Sequence, residues 1–94
     1  PAEFFGFPLG EDFASYHQVA EYARMLADVS PLASYSRYGE SVEGRELFHL
    51  VLASEANHLR LGEILAANAE LTSQTTSPAR ADQIARSNPA VVYF

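Results

Sequence analysis

The sequence lacks cysteine altogether, and this absence excludes disulfide bridges and thiolate metal ligands. Basic residues are scarce, because six arginines stand against twelve aspartates and glutamates and leave a net charge of −6. This acidic balance argues against a nucleic-acid or anionic-membrane surface. The apolar runs stay far below the ~18–20 residues that a membrane span requires. No stretch resembles a signal peptide and no initiator Met precedes Pro1, so the compartment is left open.

What the chain does contain is typical of a folded domain. Hydrophobic residues make up 48% of it and charged residues 19%, which argues against disorder and low complexity. Ninety-four residues suffice for one small domain or for part of a larger one.

The first third of the chain predicts an aromatic arm and a helix. Residues 1–14 interleave phenylalanines with glycine and proline, which predicts an extended arm. Ser15 and Gln18 fit a capping box, and Ser30-Pro31 ends the helix near Val29. Within this helix, Glu21 and Arg24 are spaced as an i,i+3 ion pair.

The middle of the chain predicts a β-hairpin. Residues 33–38 and 45–53 have strand character, and Gly39 and Gly44 bracket the loop between them. The second strand carries apolar groups on both faces. Such a strand is covered on both sides, as in a layered α/β protein.

The last third predicts two helices and a strand. Ser54 is placed to cap a helix that runs to about Leu71, and Ser77-Pro78 begins a shorter helix. The chargeless segment from Ala90 to Phe94 predicts a buried strand. With the hairpin, these elements form a βαβ-type connection. Three strands do not complete a sheet with helices on its faces, so we expect the front portion of a larger α/β domain.

The residues by themselves indicate a scaffold without an active site. His17 and Glu21 share a helical face, but no third metal ligand lies nearby in the sequence. His49 is expected to be packed and hydrogen-bonded in its strand, and His58 to lie at the surface. Glu40 and Glu43 are interpreted as carboxylates of the turn, and Arg45 is interpreted as the partner of a hairpin carboxylate. No nucleophile elbow, zinc-binding HExxH or phosphate-binding glycine loop is present.

The stretch "YGESVEGREL", residues 38–47, resembles a landmark of a known family. It is similar to the hairpin of zinc metallocarboxypeptidases of the carboxypeptidase A-like superfamily, where a G-x-S-x-E-G-R-x-L pattern joins the first two strands. The preceding helix with its early Tyr16, the opening "FFGFPLGEDF" and the closing "NPAVVYF" agree with that family's order of elements. The matching residues are turn residues with an architectural role: Gly39, Ser41, Glu43, Gly44 and Arg45.

The resemblance implies a mixed-sheet, three-layer α/β/α fold and a secreted or periplasmic hydrolase that trims peptides from the C-terminus with one Zn²⁺. In the family two His and one Glu hold the metal, and a Glu acts as general base. The family's H-x-x-E falls just after the position of Phe94. Residues 1–94 are therefore interpreted as an incomplete N-terminal part of one peptidase domain, whose partner is the remainder of that domain. No catalytic or metal residue is assigned, and we expect this chain to bind no zinc tightly and hydrolyse no peptide.

Two alternatives remain open at this stage. The chain is either part of such an enzyme or a self-contained interaction module that pairs with a partner or with a second copy through the strand from Ala90 to Phe94. A third interpretation is a pseudo-enzyme whose later ligands are lost.

Overall fold

A computed structural model describes residues 1–94 and shows a mixed α/β chain with five helices and one two-stranded antiparallel sheet. The chain divides into two compact units, Pro1–Glu55 and Ala56–Phe94. The α/β class predicted from the sequence is thus confirmed in its coarse form. The elements are α1 (Ala2–Phe5), α2 (Tyr16–Val29), β1 (Ala33–Glu40), β2 (Glu46–Leu52), α3 (Glu55–Leu59), α4 (Leu61–Leu71) and α5 (Pro78–Ser87).

The N-terminal segment is not extended throughout, which corrects the prediction of an arm over residues 1–14. Residues of α1 form one helical turn, which Gly6 ends with φ +81°. A positive φ is a conformation that glycine adopts at little steric cost. The turn places Phe4 and Phe5 with ring centroids 5.2 and 5.0 Å from that of Tyr22 in α2. These aromatic contacts explain why a short helix without a capping side chain persists.

Helix α2 begins and ends where local chemistry predicts. The Ser15 side chain accepts a hydrogen bond from the Gln18 backbone N–H, and the Gln18 side chain accepts one from the Ser15 N–H. This reciprocal capping box satisfies two of the N–H groups that a helix start leaves unpaired. The helix stops at Val29, and Ser30 before Pro31 is extended. Both predicted ends are confirmed.

The hairpin pairs β1 with β2 in antiparallel register, with Ala33 opposite Leu52 and Ser36 opposite His49. A bulge interrupts the register between Arg37 and Gly39. Helix α2 packs on β1 and covers one face of the sheet. Tyr38, Leu47 and His49 on the opposite face are exposed, so the layer expected on that face is not formed in this structure.

The second unit is a pair of helices with a short preceding turn. The single helix predicted up to Leu71 is wrong, because Arg60 leaves helical geometry with φ −119° and ψ +21° and separates α3 from α4. Ser77 caps α5 through the backbone N–H of Arg80, with Pro78 at the first helical position, as predicted. Ile64 in α4 and Ile84 in α5 are the buried residues of this unit.

The strand predicted from Ala90 to Phe94 is not present. Residues 89–94 belong to no helix or strand, and Val92, Tyr93 and Phe94 are largely exposed. A strand exists only when a neighbouring strand accepts and donates its backbone hydrogen bonds. Residues 90–94 form no backbone–backbone hydrogen bond, and this is the physical reason for the difference. No helix of the structure has the length and apolar character needed to cross a bilayer.

Candidate functional site

The loop that carries the family resemblance is closed by its own backbone. The Ser41 N–H donates to the Arg45 carbonyl at 2.7 Å, and the Gly44 N–H donates to the Ser41 carbonyl at 2.9 Å. The Arg45 N–H also donates to Ser41 Oγ at 3.1 Å. Gly44 has φ +76°, which a residue with a Cβ would adopt only with strain. Ser41 and Gly44 therefore have the turn roles that the sequence predicted.

The other three landmark residues divide between the loop and the strand. Arg45 and Glu43 form an ion pair of 3.0 Å between two largely exposed side chains, as expected for a hairpin carboxylate and its partner. Gly39 lies within β1 beside the bulge and has no positive φ. Its predicted role as a turn glycine is therefore wrong. A Cβ at this position would make only an ordinary contact with Leu47.

The landmark loop borders a shallow, open depression of about 460 Å³ on the first unit. Its lining consists of Tyr16, Ser41, Val42, Glu43, Arg45 and Leu47. The charged groups there are already paired with each other, and the Ser41 hydroxyl is used by the Arg45 N–H. Because these polar groups are engaged with one another, the depression is better explained as a structural contact between α2 and the hairpin than as a reaction centre.

Behind the depression, Glu46 joins the helix to the sheet. The Tyr16 hydroxyl donates to the Glu46 backbone carbonyl, and the Tyr35 hydroxyl donates to Glu46 Oε1. An Arg24 guanidinium nitrogen donates to the same Oε1 at 2.9 Å, and the guanidinium lies 5.1 Å from the centroid of the Tyr35 ring. Phe48 stacks on Tyr35 with centroids 4.8 Å apart. We call Tyr16, Arg24, Tyr35 and Glu46 the Glu46 cluster.

The Glu46 cluster was not predicted from the sequence. The sequence spacing pairs Arg24 with Glu21 on the same helix, whereas the structure pairs Arg24 with Glu46, which is 22 positions away in the chain. One signal could have found it. Glu46 begins an apolar strand and shares the face of Phe48 and Leu50 by alternation, and a carboxylate on a face to be covered requires a donor partner.

The cluster shifts the acid–base behaviour of its members. The hydrogen bond from Tyr35, followed by that from Arg24, lowers the pKa of Glu46 below its ordinary value of 4.5. Burial and the bond to Glu46 raise the pKa of Tyr35 above its ordinary value of 10.0. Both shifts favour the charge states that hold the cluster together, an ionised Glu46 and a protonated Tyr35.

We expect Glu46 to make the first unit more stable near neutral pH than in acid. Because its pKa is lower in the folded than in the unfolded chain, its contribution is fully present above about 4.5. That contribution is lost as the pH falls through the folded pKa. The free energy of unfolding, followed by amides of α2 and the hairpin, checks this prediction.

The matched variant is Glu46→Gln, which keeps the size of the side chain and removes its charge. The wild-type chain should be the more stable of the two at pH 7, and the difference should shrink on acidification. Glu70 in the second unit also has a lowered pKa through its bond to Arg80, so only the difference between the two proteins at the α2 and hairpin amides is diagnostic. A difference that is constant with pH would contradict the prediction.

The three histidines do not meet in a metal site. His17 is exposed and its ring lies edge-on to Tyr16. His49 is also exposed and stacks on Tyr38 at 4.3 Å, so the prediction of a packed, hydrogen-bonded histidine is wrong. His58 is half-buried with its Nε2 atom unpaired, rather than at the open surface. No group of three His, Cys, Asp or Glu side chains is placed to hold a metal ion.

The second unit has its own open groove of about 660 Å³, bounded by α4, α5 and the residues that follow α5. Asn88 crosses its base, donating through Nδ2 to the Ile64 carbonyl at 3.2 Å and to Asn68 Oδ1 at 2.9 Å. Val91 and Tyr93 contribute to one wall. The groove contains no charged side chain among its lining residues, and its chemistry is that of an apolar contact surface.

Comparison with known proteins yields no relative, since no family model, curated protein or solved structure matches the chain. The likeness to zinc carboxypeptidases therefore rests on residues 38–47 and on the order of the elements around them.

Proposed function

We propose that this chain is the N-terminal scaffold of a zinc-dependent carboxypeptidase, an enzyme that hydrolyses peptides from their C-termini. The observation that carries the proposal is the landmark hairpin. Its loop combines the motif residues Ser41, Gly44 and Arg45 in one backbone-closed turn, in the position that the family motif assigns to the connection of the first two strands. The three-layer α/β/α architecture is part of the same proposal.

The helix before the hairpin supports the assignment. The family places a tyrosine early in this helix, and Tyr16 here donates its hydroxyl to the Glu46 carbonyl at the base of the hairpin. A strand carbonyl that accepts a tyrosine hydroxyl fixes the distance between helix and strand. The hydrogen bond from Tyr16 therefore connects the helix directly to the hairpin that carries the motif. Such a contact is consistent with an architectural role for both the tyrosine and the motif.

In this proposal the zinc chemistry belongs to residues outside 1–94. The side chains present do not fit a zinc site, because no three candidate ligands converge and a catalytic zinc is held by three protein ligands. The role of this chain is to build the start of the sheet on which the ligands are carried. No step of peptide hydrolysis is assigned to Ser41, Glu43 or Arg45.

The test is to express the complete reading frame that encodes this chain and to measure bound zinc and release of C-terminal residues from a peptide mixture. We expect one zinc per protein, activity that a chelator removes, and recovery when zinc is restored. The matched control is the 94-residue chain, which should bind no zinc at micromolar concentration. A complete product without zinc and without hydrolysis, although folded, would overturn the proposal.

A second candidate function is an interaction module, and a separate observation favours it. Residues 90–94 carry no charge, make no backbone–backbone hydrogen bond and expose most of Val92 and Tyr93, at 69% and 85%. An apolar segment with free backbone N–H and C=O groups is suited to adding a strand to another sheet. In the carboxypeptidase proposal the same segment is covered by the remainder of the domain.

A further inference from the structure

The backbone register of the hairpin shows which groups of β2 are free. The Ala53 N–H donates to the Leu32 carbonyl at 3.0 Å, so these two residues form a hydrogen-bonded pair. Such pairs alternate along an antiparallel ladder with pairs whose N–H and C=O groups point outward. In the observed register the next bonded pairs are Ser34 with Val51 and Ser36 with His49. It follows that Phe48, Leu50 and Leu52 direct their N–H and C=O groups to the outer edge of β2.

This outer edge has a defined beginning. Past the bulge, the Ser41 N–H donates to the Arg45 carbonyl, which makes Glu46 an outward-pointing position by the same alternation. The Glu46 carbonyl accepts the Tyr16 hydroxyl, as this register requires. The free part of the edge therefore runs over residues 48–52, and none of its outward groups takes part in a backbone–backbone hydrogen bond.

The edge of β1 is a poorer acceptor. Its first amide, that of Ala33, already donates to the Ser30 carbonyl at 3.2 Å. The bulge at Arg37 and Gly39 interrupts its other end, and Arg37 is paired with Glu40 there. Bulges and charges are the devices that protect a strand edge from pairing. The β2 edge has no bulge, no proline and no acidic or arginine side chain over residues 48–52.

We propose that residues 90–94 of one copy of this chain pair as a β-strand with the outer edge of β2, residues 48–52, of a second copy. Both segments are five residues long, about 16–17 Å when extended, and both lack Asp, Glu, Lys and Arg, so pairing brings no like charges together despite the net charge of −6. The inference rests on the second candidate function and names its partner and its acceptor edge.

The pairing predicts a pattern of amide protection that alternates along β2. In the isolated hairpin the His49 and Val51 amides are bonded to β1, whereas the Phe48, Leu50 and Leu52 amides are free. When the 94-residue chain is concentrated from low micromolar to millimolar, we expect protection against hydrogen exchange to rise about tenfold or more at residues 48, 50 and 52. Light scattering should report an increase in mass over the same range.

Three outcomes of this measurement would overturn the proposal. Protection of residues 48, 50 and 52 that does not depend on concentration would mean that the segment pairs within its own chain. Association that protects Tyr35 of β1, or no amide of the hairpin at all, would mean that the β2 edge is not the acceptor. If the chain associates without using the β2 edge, the interaction function still stands because self-association persists, but this inference fails. A chain that stays monomeric over the whole concentration range would overturn both the strand-pairing inference and the interaction function on which it rests.

A pair of proline variants tests the hydrogen bonds themselves. Neighbouring residues of a strand direct their N–H groups to opposite sides, so only one of Val91 and Val92 donates to β2. Proline lacks this donor and is tolerated in a strand where the N–H faces solvent. We expect one of Val91→Pro and Val92→Pro to abolish self-association and the other to retain most of it, with His49 and Val51 amides still protected in both. Equal behaviour of the two variants would contradict strand pairing.

Discussion

Replacing Ile84 by alanine is expected to unfold most of the second unit. Ile84 is 2% exposed and is one of the two buried residues of Ala56–Phe94. Truncation of a buried isoleucine to alanine costs about 2–5 kcal/mol, since apolar burial is lost and a cavity remains. A unit of this length has a free energy of unfolding of about 2–6 kcal/mol at typical values per residue. Amide exchange in α4 and α5 should therefore approach the rates of an unfolded peptide.

Two variants in the same helical pair make this expectation specific. Ile84→Val removes one methylene group and should cost only about 0.5–1.5 kcal/mol, so that α4 and α5 stay protected. Leu65→Ala truncates a side chain that is half exposed, and its cost should be smaller than that of Ile84→Ala. If Ile84→Ala kept native protection in α5, the contact between Ile84 and α4 would not be what holds this unit together.

Replacing Ala20 by leucine is expected to separate α2 from the hairpin. Tyr16, Ala20 and Arg24 are spaced by four residues and share one face of the helix. Tyr16 and Arg24 both contact Glu46, so Ala20, which is 3% exposed, lies between them against the sheet. A larger side chain there costs about 1–3 kcal/mol of overpacking. It also moves α2 outward and stretches both contacts to Glu46.

The loss of the Glu46 contacts gives this variant a second, independent readout. If α2 moves outward, the pKa of Glu46 returns towards its ordinary value, and the pH dependence of stability that it causes weakens. NMR titration of the Glu46 carboxyl measures this directly. Val19→Leu enlarges a half-exposed side chain of the same helix and should change stability by less than about 0.5 kcal/mol. An Ala20→Leu protein with an unchanged Glu46 titration would show that the helix does not depend on a small residue here.

Much of the local structure was predictable from short stretches of the sequence. Ser15 with Gln18 predicts the start of α2, Ser30-Pro31 its end, and Ser77-Pro78 the start of α5. In each case the groups that interact lie within four residues of each other, so the chain brings them together whatever the rest of the fold does. The turn of the landmark loop follows in the same way from Gly44, whose positive φ is local chemistry.

Several features of the structure differ from what the sequence predicted, and those in the hairpin depend on residues that are distant in the chain. A helical pattern was visible up to Leu71, but the break at Arg60 is not marked by proline or glycine at that position. Gly39 was interpreted as a turn glycine, whereas it takes part in a bulge that only strand pairing creates. His49 was expected to be packed, yet its face of the sheet is exposed.

Residues 90–94 and Arg24 separate the properties fixed by local sequence from those that arise only when distant segments pack together. The apolar, chargeless character of residues 90–94 is a property of the sequence, and it determines that this segment is suited to β pairing. Whether it forms a strand is decided by the presence of a partner edge, because strand hydrogen bonds are made between segments. Likewise the sequence determined that Arg24 is a cation within α2 that can pair with a carboxylate. The packing of α2 on the hairpin decided that this carboxylate is Glu46, since only the assembled fold brings residues 22 positions apart to 2.9 Å.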